Sequence, residues 1–459
     1  MSSCRRDQGN AAVTSRRFRK DEVRAMKRII LIFATVFAFA CPSLAARVPL
    51  ERAYIATHGH LEEFLIAPNG LMFPVGYKGL PQNFSSWTLP SRVSIPTLKQ
   101  AGAVVATPNE KYLYVAGCAR DRTRIVYGRH PILEEIAAYH IVDGIPHVLG
   151  SPTQIDDCLT GNQAPYQTLA VSRNGAFLFA TGGITYHNTG DPVSTAVRSF
   201  AIAANGTLTP ISTVRLTGSP LGAYTARDST GKWLFVAGIS ARYQAPLTLA
   251  ELHVATDGSL TLAGTTSFAG RLDAFTGLAS AARRPLLYVA GEKISNAGAQ
   301  TEVFGYRIGA GGALTPVPGP AATDTGLAPT GQPSYASLAI APSGRLLYVL
   351  GAMASRADGA LIQSYAIGAA GRLRVAHGST VETKAVKQPQ MIVSDPTGRF
   401  LYEMDLSAGF MGAPAIVEFR DSPDGAIVSN THACLGGGPN SIVFCGRVPA
   451  FTGPIAILK

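Results

Sequence analysis

Residues Leu338 to Gly351 read LAIAPSGRLLYVLG, and the fold is predicted from this pattern. An apolar run, a Pro-Ser-Gly bend and a second run rich in Leu, Tyr and Val are typical of a β-hairpin. Proline fixes φ and glycine permits positive φ, which such bends need. Five further copies occur along the chain: VVATPNEKYLYVAG ending at Gly117, LAVSRNGAFLFATG at Gly182, TARDSTGKWLFVAG at Gly238, LASAARRPLLYVAG at Gly291 and IVSDPTGRFLYEMD at Asp405.

A second hairpin with its own glycine-centred turn follows each copy, as in residues 197–212, 249–264 and 362–378. Two hairpins make one four-stranded sheet, the blade of a propeller. The aromatic residue of the second strand recurs every 53 to 65 residues, at Tyr114, Phe179, Phe235, Tyr288, Tyr348 and Tyr402. This period exceeds the roughly 40–45 residues of WD40 repeats, so we expect a WD40-like repeat with longer loops.

The chain ends supply one more blade. Residues 52–76 read as a second strand and a following hairpin without a first strand, and residues 439–446, PNSIVFCG, read as a first strand without a partner. Pairing the two closes the ring and removes exposed strand edges. The sequence therefore predicts an all-β, seven-bladed β-propeller of four-stranded blades, closed by C-terminal strand pairing with N-terminal strands.

The motifs PSGRLLYV (342–349), DPTGRFLY (395–402) and AYIAT (53–57) resemble those of the lactonase family of seven-bladed propellers. That family includes bacterial 6-phosphogluconolactonase and the YVTN-repeat proteins, and the resemblance covers roughly residues 50–446. It implies the fold more firmly than an activity, because such propellers serve as enzymes, binding proteins and cell-surface proteins.

The family's enzymes carry a Gly-Pro-Arg-His run near the start of inner strands, and this chain departs from it at each matching place. Those places read Ala-Pro-Tyr-Gln (164–167), Gln-Pro-Ser-Tyr (332–335), Gln-Pro-Gln-Met (388–391) and Gly-Pro-Asn-Ser (438–441). No catalytic residue is carried over from the family, and the resemblance alone leaves lactone hydrolysis in doubt.

Export is predicted from the N-terminal region. Residues 26–45 begin with Lys27 and Arg28, continue through the apolar run Ile29 to Ala40 and end in a small-x-small pattern at Ser43 to Ala45, as in a secretory signal peptide. Residues 1–25 precede it as a basic extension, and Met26 is a candidate start. We expect a mature propeller of residues 46–459, secreted or periplasmic, without a membrane span after cleavage.

The net charge of +11 is concentrated in the leader region. Residues 1–45 carry a balance of +6, and the other 414 residues carry only +5, without a long basic run interleaved with aromatics. Nucleic-acid binding is therefore not expected. Four cysteines remain after cleavage, and an oxidising compartment favours disulfides between them. Four cysteines allow three pairings; we predict Cys118 with Cys158, placed in loops on one face, which leaves Cys434 with Cys445, although a buried free thiol at Cys445 is also consistent.

Loops after the second strand of each blade are the predicted binding region. The longest, residues 118–131, is rich in positive charge and suits a carboxylate or phosphate, unless it is merely solvated. Candidate catalytic residues are Arg124 and His130 in this loop, and Glu292 and Asp405 at the ends of their second strands. Each carboxylate is a candidate general base, with turn capping as the alternative.

Three histidines, His58, His60 and His432, are predicted on one face, where they are candidates for a zinc or copper site. No fourth ligand has suitable spacing, so solvated histidines are the alternative and we expect neither a metal nor a cofactor. The leading functional prediction is a monomeric binding or scaffold protein for a small carboxylate, a lactone or an envelope protein. The alternative is a hydrolase of a small lactone.

Overall fold

The computed structural model describes residues 51–57, 60–66, 68, 70, 72–74, 93–94, 98–120, 132–157, 168–182, 194–217, 222–238, 247–295, 298–318, 322–323, 337–352, 360–383, 389–405, 415–421, 425–429 and 452–458. The chain divides into two compact units, Met1–Pro49 and Leu50–Lys459. The first contains the predicted leader and lies outside the described ranges, and the second contains every described strand. None of the described residues forms a helix, and hence none forms an apolar helix of membrane-spanning length.

The described strands form seven antiparallel sheets, numbered here along the chain. Sheet 1 combines both chain ends: β1 (Glu51–Thr57), β2 (His60–Ile66), β3 (Met72–Pro74), β4 (Val93–Ser94) and β31 (Thr452–Leu458). Sheet 2 contains β5 (Leu98–Ala106), β6 (Tyr112–Arg120), β7 (Ile132–Val142), β8 (Ile145–Val148) and β9 (Thr153–Asp157). Sheet 3 contains β10 (Thr168–Val171), β11 (Phe177–Gly182), β12 (Ser194–Ile202) and β13 (Leu208–Thr217).

The other four sheets are also built from consecutive strands. Sheet 4 contains β14 (Gly222–Arg227), β15 (Trp233–Gly238), β16 (Thr248–Val254) and β17 (Leu260–Ser267). Sheet 5 contains β18 (Ala274–Ser280), β19 (Leu286–Ser295), β20 (Gly298–Ile308), β21 (Leu314–Pro316) and β22 (Ala322–Thr323). Sheet 6 contains β23 (Ser337–Ile340), β24 (Leu346–Ala352), β25 (Ala360–Ile367) and β26 (Leu373–Thr383). Sheet 7 contains β27 (Pro389–Ser394), β28 (Phe400–Asp405), β29 (Ala415–Asp421) and β30 (Ile427–Ser429).

The predicted β-propeller fold and its four-stranded plan are confirmed. Sheets 2, 5 and 1 differ from the plan only in that the fourth strand is broken into two pieces, both paired with the third strand. In sheet 2 the break spans Leu149 to Pro152, and in sheet 5 it includes Pro318. Proline cannot donate a hydrogen bond to the ladder, which accounts for a break at these points.

Closure of the chain ends occurs as predicted, but through a different strand. Residues 452–458 form β31 and pair with β1 from Arg52↔Leu458 to Thr57↔Thr452, whereas residues 439–446 lie outside the described ranges. β31 contains Gly453 and Pro454, which make it a poor strand by sequence pattern. Proline is tolerated there because β31 is an edge strand and the register shifts between Ile55 and Thr57.

Seven clusters of buried residues each join two consecutive sheets, and the last joins sheet 7 to sheet 1. The repeated aromatic supplies a large side chain to six of these clusters, as in the cluster of Tyr288 with Val349, and Tyr54 supplies one to the cluster between sheets 1 and 2. The innermost residue paired with this aromatic is alanine in sheets 3 to 6, as in Ala279 beside Tyr288. The repeated aromatics are therefore core positions.

Candidate ligand-binding face

Strand direction separates two faces of the propeller. Turns from first to second strand and from third to fourth strand lie on one face, called the turn face. Connections from second to third strand, and from one sheet to the next, lie on the opposite face, called the loop face. Longer connections occur on the loop face, where propellers commonly bind ligands.

Among the described residues, two hairpins remain paired further toward the loop face than their equivalents. The hairpin β19–β20 in sheet 5 is paired to Ser295↔Gly298, and the hairpin β6–β7 in sheet 2 is paired to Arg120↔Ile132. In sheet 3 the last described pair of the equivalent hairpin is Gly182↔Ala196. We call these extensions the sheet 5 arm (residues 292–295 and 298–301) and the sheet 2 arm (residues 118–120 and 132–134). Sheets 3 and 4 lie between them on one side of the ring.

Glu292 lies at the base of the sheet 5 arm and is 1% exposed. It pairs with Ala274 on the innermost strand and with Thr301 on β20, which is 2% exposed. The sequence predicted that Glu292 ends its second strand, and this is wrong, because β19 continues to Ser295. Glu292 and Thr301 are instead buried neighbours on adjacent strands, at the point where the innermost strand β18 begins.

Charged side chains flank this position. The Lys293 Nζ atom lies 3.6 Å from Asp273 Oδ1, and both side chains are about one-third exposed. The Asp273 backbone N–H donates a 2.7 Å hydrogen bond to the Glu292 carbonyl, which fixes the chain entering β18 against the arm. An exposed ion pair of this kind adds less than ~1 kcal/mol to stability. Its main effect is to place one positive and one negative side chain beside Glu292.

Asp405 occupies the end of β28 as predicted, where it pairs with Pro389 and Ala415. It belongs to sheet 7, which is separated from sheet 5 by sheet 6. Glu292 and Asp405 thus share a face but do not lie on adjacent sheets. Arg124 and His130 lie outside the described residues.

Two predicted loop positions are strand residues. Cys118, predicted in a loop, continues β6 and pairs with Gln100 and Glu134, because the hairpin extends to Arg120. His60, predicted in a turn, begins β2 and pairs with Thr57 and Ser94. His58, His432, Cys158, Cys434 and Cys445 lie outside the described ranges. The described residues hold no cluster of three or more metal-ligating side chains.

Glu403 is fully buried in β28 and was not predicted from the sequence. It follows the sheet 7 aromatic Tyr402, where Val289 and Val349 follow the aromatics of sheets 5 and 6. The sequence signal for this position is a charged residue where the other repeats have an apolar one. A buried carboxylate must be compensated by hydrogen bonds or an opposite charge. A Thr168 and Thr181 hydroxyl pair, 2.7 Å apart near the loop face of sheet 3, was also missed.

Comparison with known proteins supports the fold. No protein-family model and no curated protein sequence matches the chain. A solved protein from Lactobacillus plantarum is 14% identical, with a TM-score of 0.55, covering 89% of this chain and 100% of its own. A protein from Bacteroides uniformis, provisionally assigned as a 6-phosphogluconolactonase, is 15% identical with a TM-score of 0.56, covering 89% and 99%. At these identities the similarity shows a shared propeller fold alone.

Proposed function

We propose that this protein is an exported, lactonase-like, seven-bladed propeller that binds a small carboxylate or lactone on its loop face. The blade number is supported by the seven inter-sheet clusters, with sheet 1 as the seventh blade. Export is supported by the signal-peptide pattern at residues 26–45. We propose a monomer, because ring closure leaves no unpaired gap between blades at which a second copy of the chain could add a strand.

The two arms are the observation that carries the binding proposal. They stand on sheets separated by two intervening sheets, so they bound the loop face from different sides of the ring. The sheet 2 arm leads into residues 121–131, which include three arginines and one histidine. Guanidinium groups pair with carboxylate oxygens in a bidentate geometry, which favours a carboxylate ligand on this side.

The binding proposal is tested by calorimetric titration of the protein with gluconate and with glucono-δ-lactone. A shortened variant lacks Ile294, Ser295, Gly298 and Ala299, which removes two paired positions from the sheet 5 arm and preserves the register at Lys293↔Gln300. Arg307→Met, an exposed change on the turn face, is the matched control. Saturable binding in the control and at least tenfold weaker binding in the shortened variant would support the proposal. Equal binding by both would contradict it.

Hydrolysis of a lactone is the second candidate function, favoured by the buried carboxylate of Glu292 beside the innermost strand. In this reaction Glu292 removes a proton from water while the water oxygen attacks the lactone carbonyl carbon. The ring carbon–oxygen bond then breaks and the proton passes to the leaving alkoxide, giving a hydroxy acid. A provisional 6-phosphogluconolactonase assignment of one structural neighbour is consistent with this chemistry.

Hydrolysis is tested on a panel of aldonolactones, sugar-phosphate lactones and aliphatic lactones, with heat-inactivated protein as the blank. Turnover that falls at least 100-fold in Glu292→Gln and remains in Asp405→Asn would assign the base to Glu292. Turnover unchanged in Glu292→Gln would remove this residue from the reaction. Absence of turnover with every lactone would leave binding as the function.

The predicted disulfide is part of the same proposal for an exported protein. Cys118 stands on the sheet 2 arm, so a bond to Cys158 would tie the start of this arm to the segment after β9. Peptide mass mapping of the exported, unreduced protein tests this pairing against the two that join Cys118 to Cys434 or to Cys445. A free thiol at Cys118 would contradict it.

A further inference from the structure

The turn face carries an arginine in an unusual place. Arg227 is the last residue of the innermost strand of sheet 4, where the equivalent residues of sheets 3, 5 and 6 are Val171, Ser280 and Ile340. Ala226 packs in the cluster between sheets 4 and 5, so the alternation of strand side chains directs Arg227 toward sheet 3. Arg227 thus places a guanidinium between two sheets, at a position where sheets 3, 5 and 6 have an apolar or small residue.

A second arginine reaches the same turn from sheet 3. The Arg173 Nη1 atom donates a 2.8 Å hydrogen bond to the carbonyl of Ser229, two residues after Arg227. Arg173 is exposed, whereas Arg227 is half-buried. Burial and the charge of Arg173 lower the pKa of Arg227, and the nearby Asp228 opposes them more weakly. The two guanidiniums therefore repel each other in a partly desolvated position.

The nearest carboxylate is largely engaged elsewhere. Asp228 accepts hydrogen bonds from the Trp233 N–H at 2.9 Å and the Thr230 N–H at 3.0 Å, and from the Thr230 hydroxyl. It is 5% exposed and organises its own turn. Arg227 Nη1 is buried and makes no hydrogen bond to any residue that the structure describes. A buried guanidinium N–H without an acceptor is costly, which makes this a position where an acceptor from a ligand would be stabilising.

We propose that Arg227 and Arg173 form a binding site for a small oxyanion at the inner edge of the turn face, between sheets 3 and 4. A phosphate, sulfate or carboxylate group bridging the two guanidiniums would neutralise their repulsion and accept their free N–H groups. This site lies on the face opposite the arms and is independent of the proposed loop-face ligand. Its ligand is defined by charge and geometry, with two or three acceptor oxygens on one centre.

The test is thermal unfolding of the full-length protein in a chloride buffer of fixed ionic strength, with 0 to about 10 mM phosphate, sulfate or acetate exchanged for chloride. A ligand that binds only the folded state raises the Tm in a saturable way that follows its Kd. We expect such a rise for wild type and for the control Arg307→Met, which changes an exposed arginine on the same face. We expect no saturable rise for Arg227→Met or Arg173→Met.

A second measurement separates loss of the site from loss of the fold. Methionine keeps the aliphatic length of the arginine side chain and removes the repulsive charge, so Arg227→Met should have a Tm in chloride equal to or above that of wild type. Calorimetric titration should then show at least tenfold weaker phosphate binding by Arg227→Met than by wild type. The proposal is overturned if all variants respond equally to each oxyanion, or if wild type shows no saturable response. A response to acetate as strong as that to phosphate would identify the carboxylate as a sufficient ligand.

Discussion

The Tyr402 hydroxyl donates a 2.9 Å hydrogen bond to the carbonyl oxygen of Gly70, a residue 332 positions earlier in the chain. Tyr402 belongs to sheet 7, and Gly70 lies in the turn between the third and fourth strands of sheet 1. Tyr114 bonds Gly206 at 2.9 Å, and Tyr288 bonds Gly371 at 2.8 Å, by the same route into the next sheet. The repeated tyrosine thus joins consecutive sheets through both its ring and its hydroxyl.

Removing one hydroxyl should measure this link. Tyr402→Phe keeps the ring and leaves the buried Gly70 carbonyl without its donor, so we expect the free energy of unfolding to fall by about 1–2 kcal/mol. Tyr402→Ala also removes the packed ring and should cost about 3–5 kcal/mol. Chemical denaturation of both variants measures the two values. Equal stability of Tyr402→Phe and wild type would show that this hydrogen bond adds nothing to ring closure.

Alkaline pH should destabilise the protein through its buried tyrosines. Burial raises the pKa of Tyr288 from about 10 to about 12, against a smaller opposing effect of Arg284. Above pH 10 the unfolded chain loses the Tyr288 proton while the folded protein retains it, so this stability is present below pH 10 and is lost toward pH 12. Absorbance at 295 nm should therefore show a fraction of tyrosines that ionise only on unfolding. Reversible ionisation of every tyrosine near pH 10 in the folded protein would contradict this.

Three glycines provide a graded test of the turn geometry. Gly312 has φ of +82°, and an added Cβ would lie 2.3 Å from Trp233 Cε3, so Gly312→Ala combines backbone strain with steric overlap. Gly270 has φ of +73° with nothing within 4 Å, and Gly311 has open space without a positive φ. We expect losses of about 2–4 kcal/mol, about 1 kcal/mol and about zero, respectively. Thermal melts that fail to rank the three variants in this order would refute the argument.

Asp395 should stabilise its turn more than an average surface carboxylate. It is fully buried and accepts hydrogen bonds from the backbone N–H groups of Thr397, Arg399 and Phe400. Asp395→Ala leaves these donors without their acceptor, and we expect a loss of about 2–3 kcal/mol. Asp395→Asn retains one carbonyl acceptor and should lose less. Equal denaturation midpoints for the two variants would show that the carboxylate is dispensable.

The local repeat was predictable because a hairpin depends on near neighbours. In Leu338 to Gly351 the turn residues and the alternation of apolar residues predict β23 and β24 directly. Ring closure by pairing of the two chain ends was predicted, but the closing strand was assigned to the wrong segment. Residues 439–446 have a regular strand pattern, whereas β31 contains Pro454, which only an edge position with an irregular register accommodates.

The candidate site was less predictable, because its residues meet through the ring rather than along the chain. Glu292 was identified from its departure from the repeat, but its burial beside Thr301 depends on the length of the sheet 5 arm. Arg227 and Arg173 are separated by a whole sheet in sequence, and no spacing pattern connects them. Their proximity follows from the packing of sheet 3 against sheet 4.

The strand period, the turn positions and the propeller fold follow from the sequence, because they depend on backbone preferences and side-chain alternation within a few residues. The bond of Tyr402 to Gly70, the closure of sheet 1 by Thr452–Leu458 and the approach of two arginines to one turn are visible only in the folded protein. These contacts join residues distant in the chain, and they form only when inter-sheet packing offsets the entropy of bringing them together.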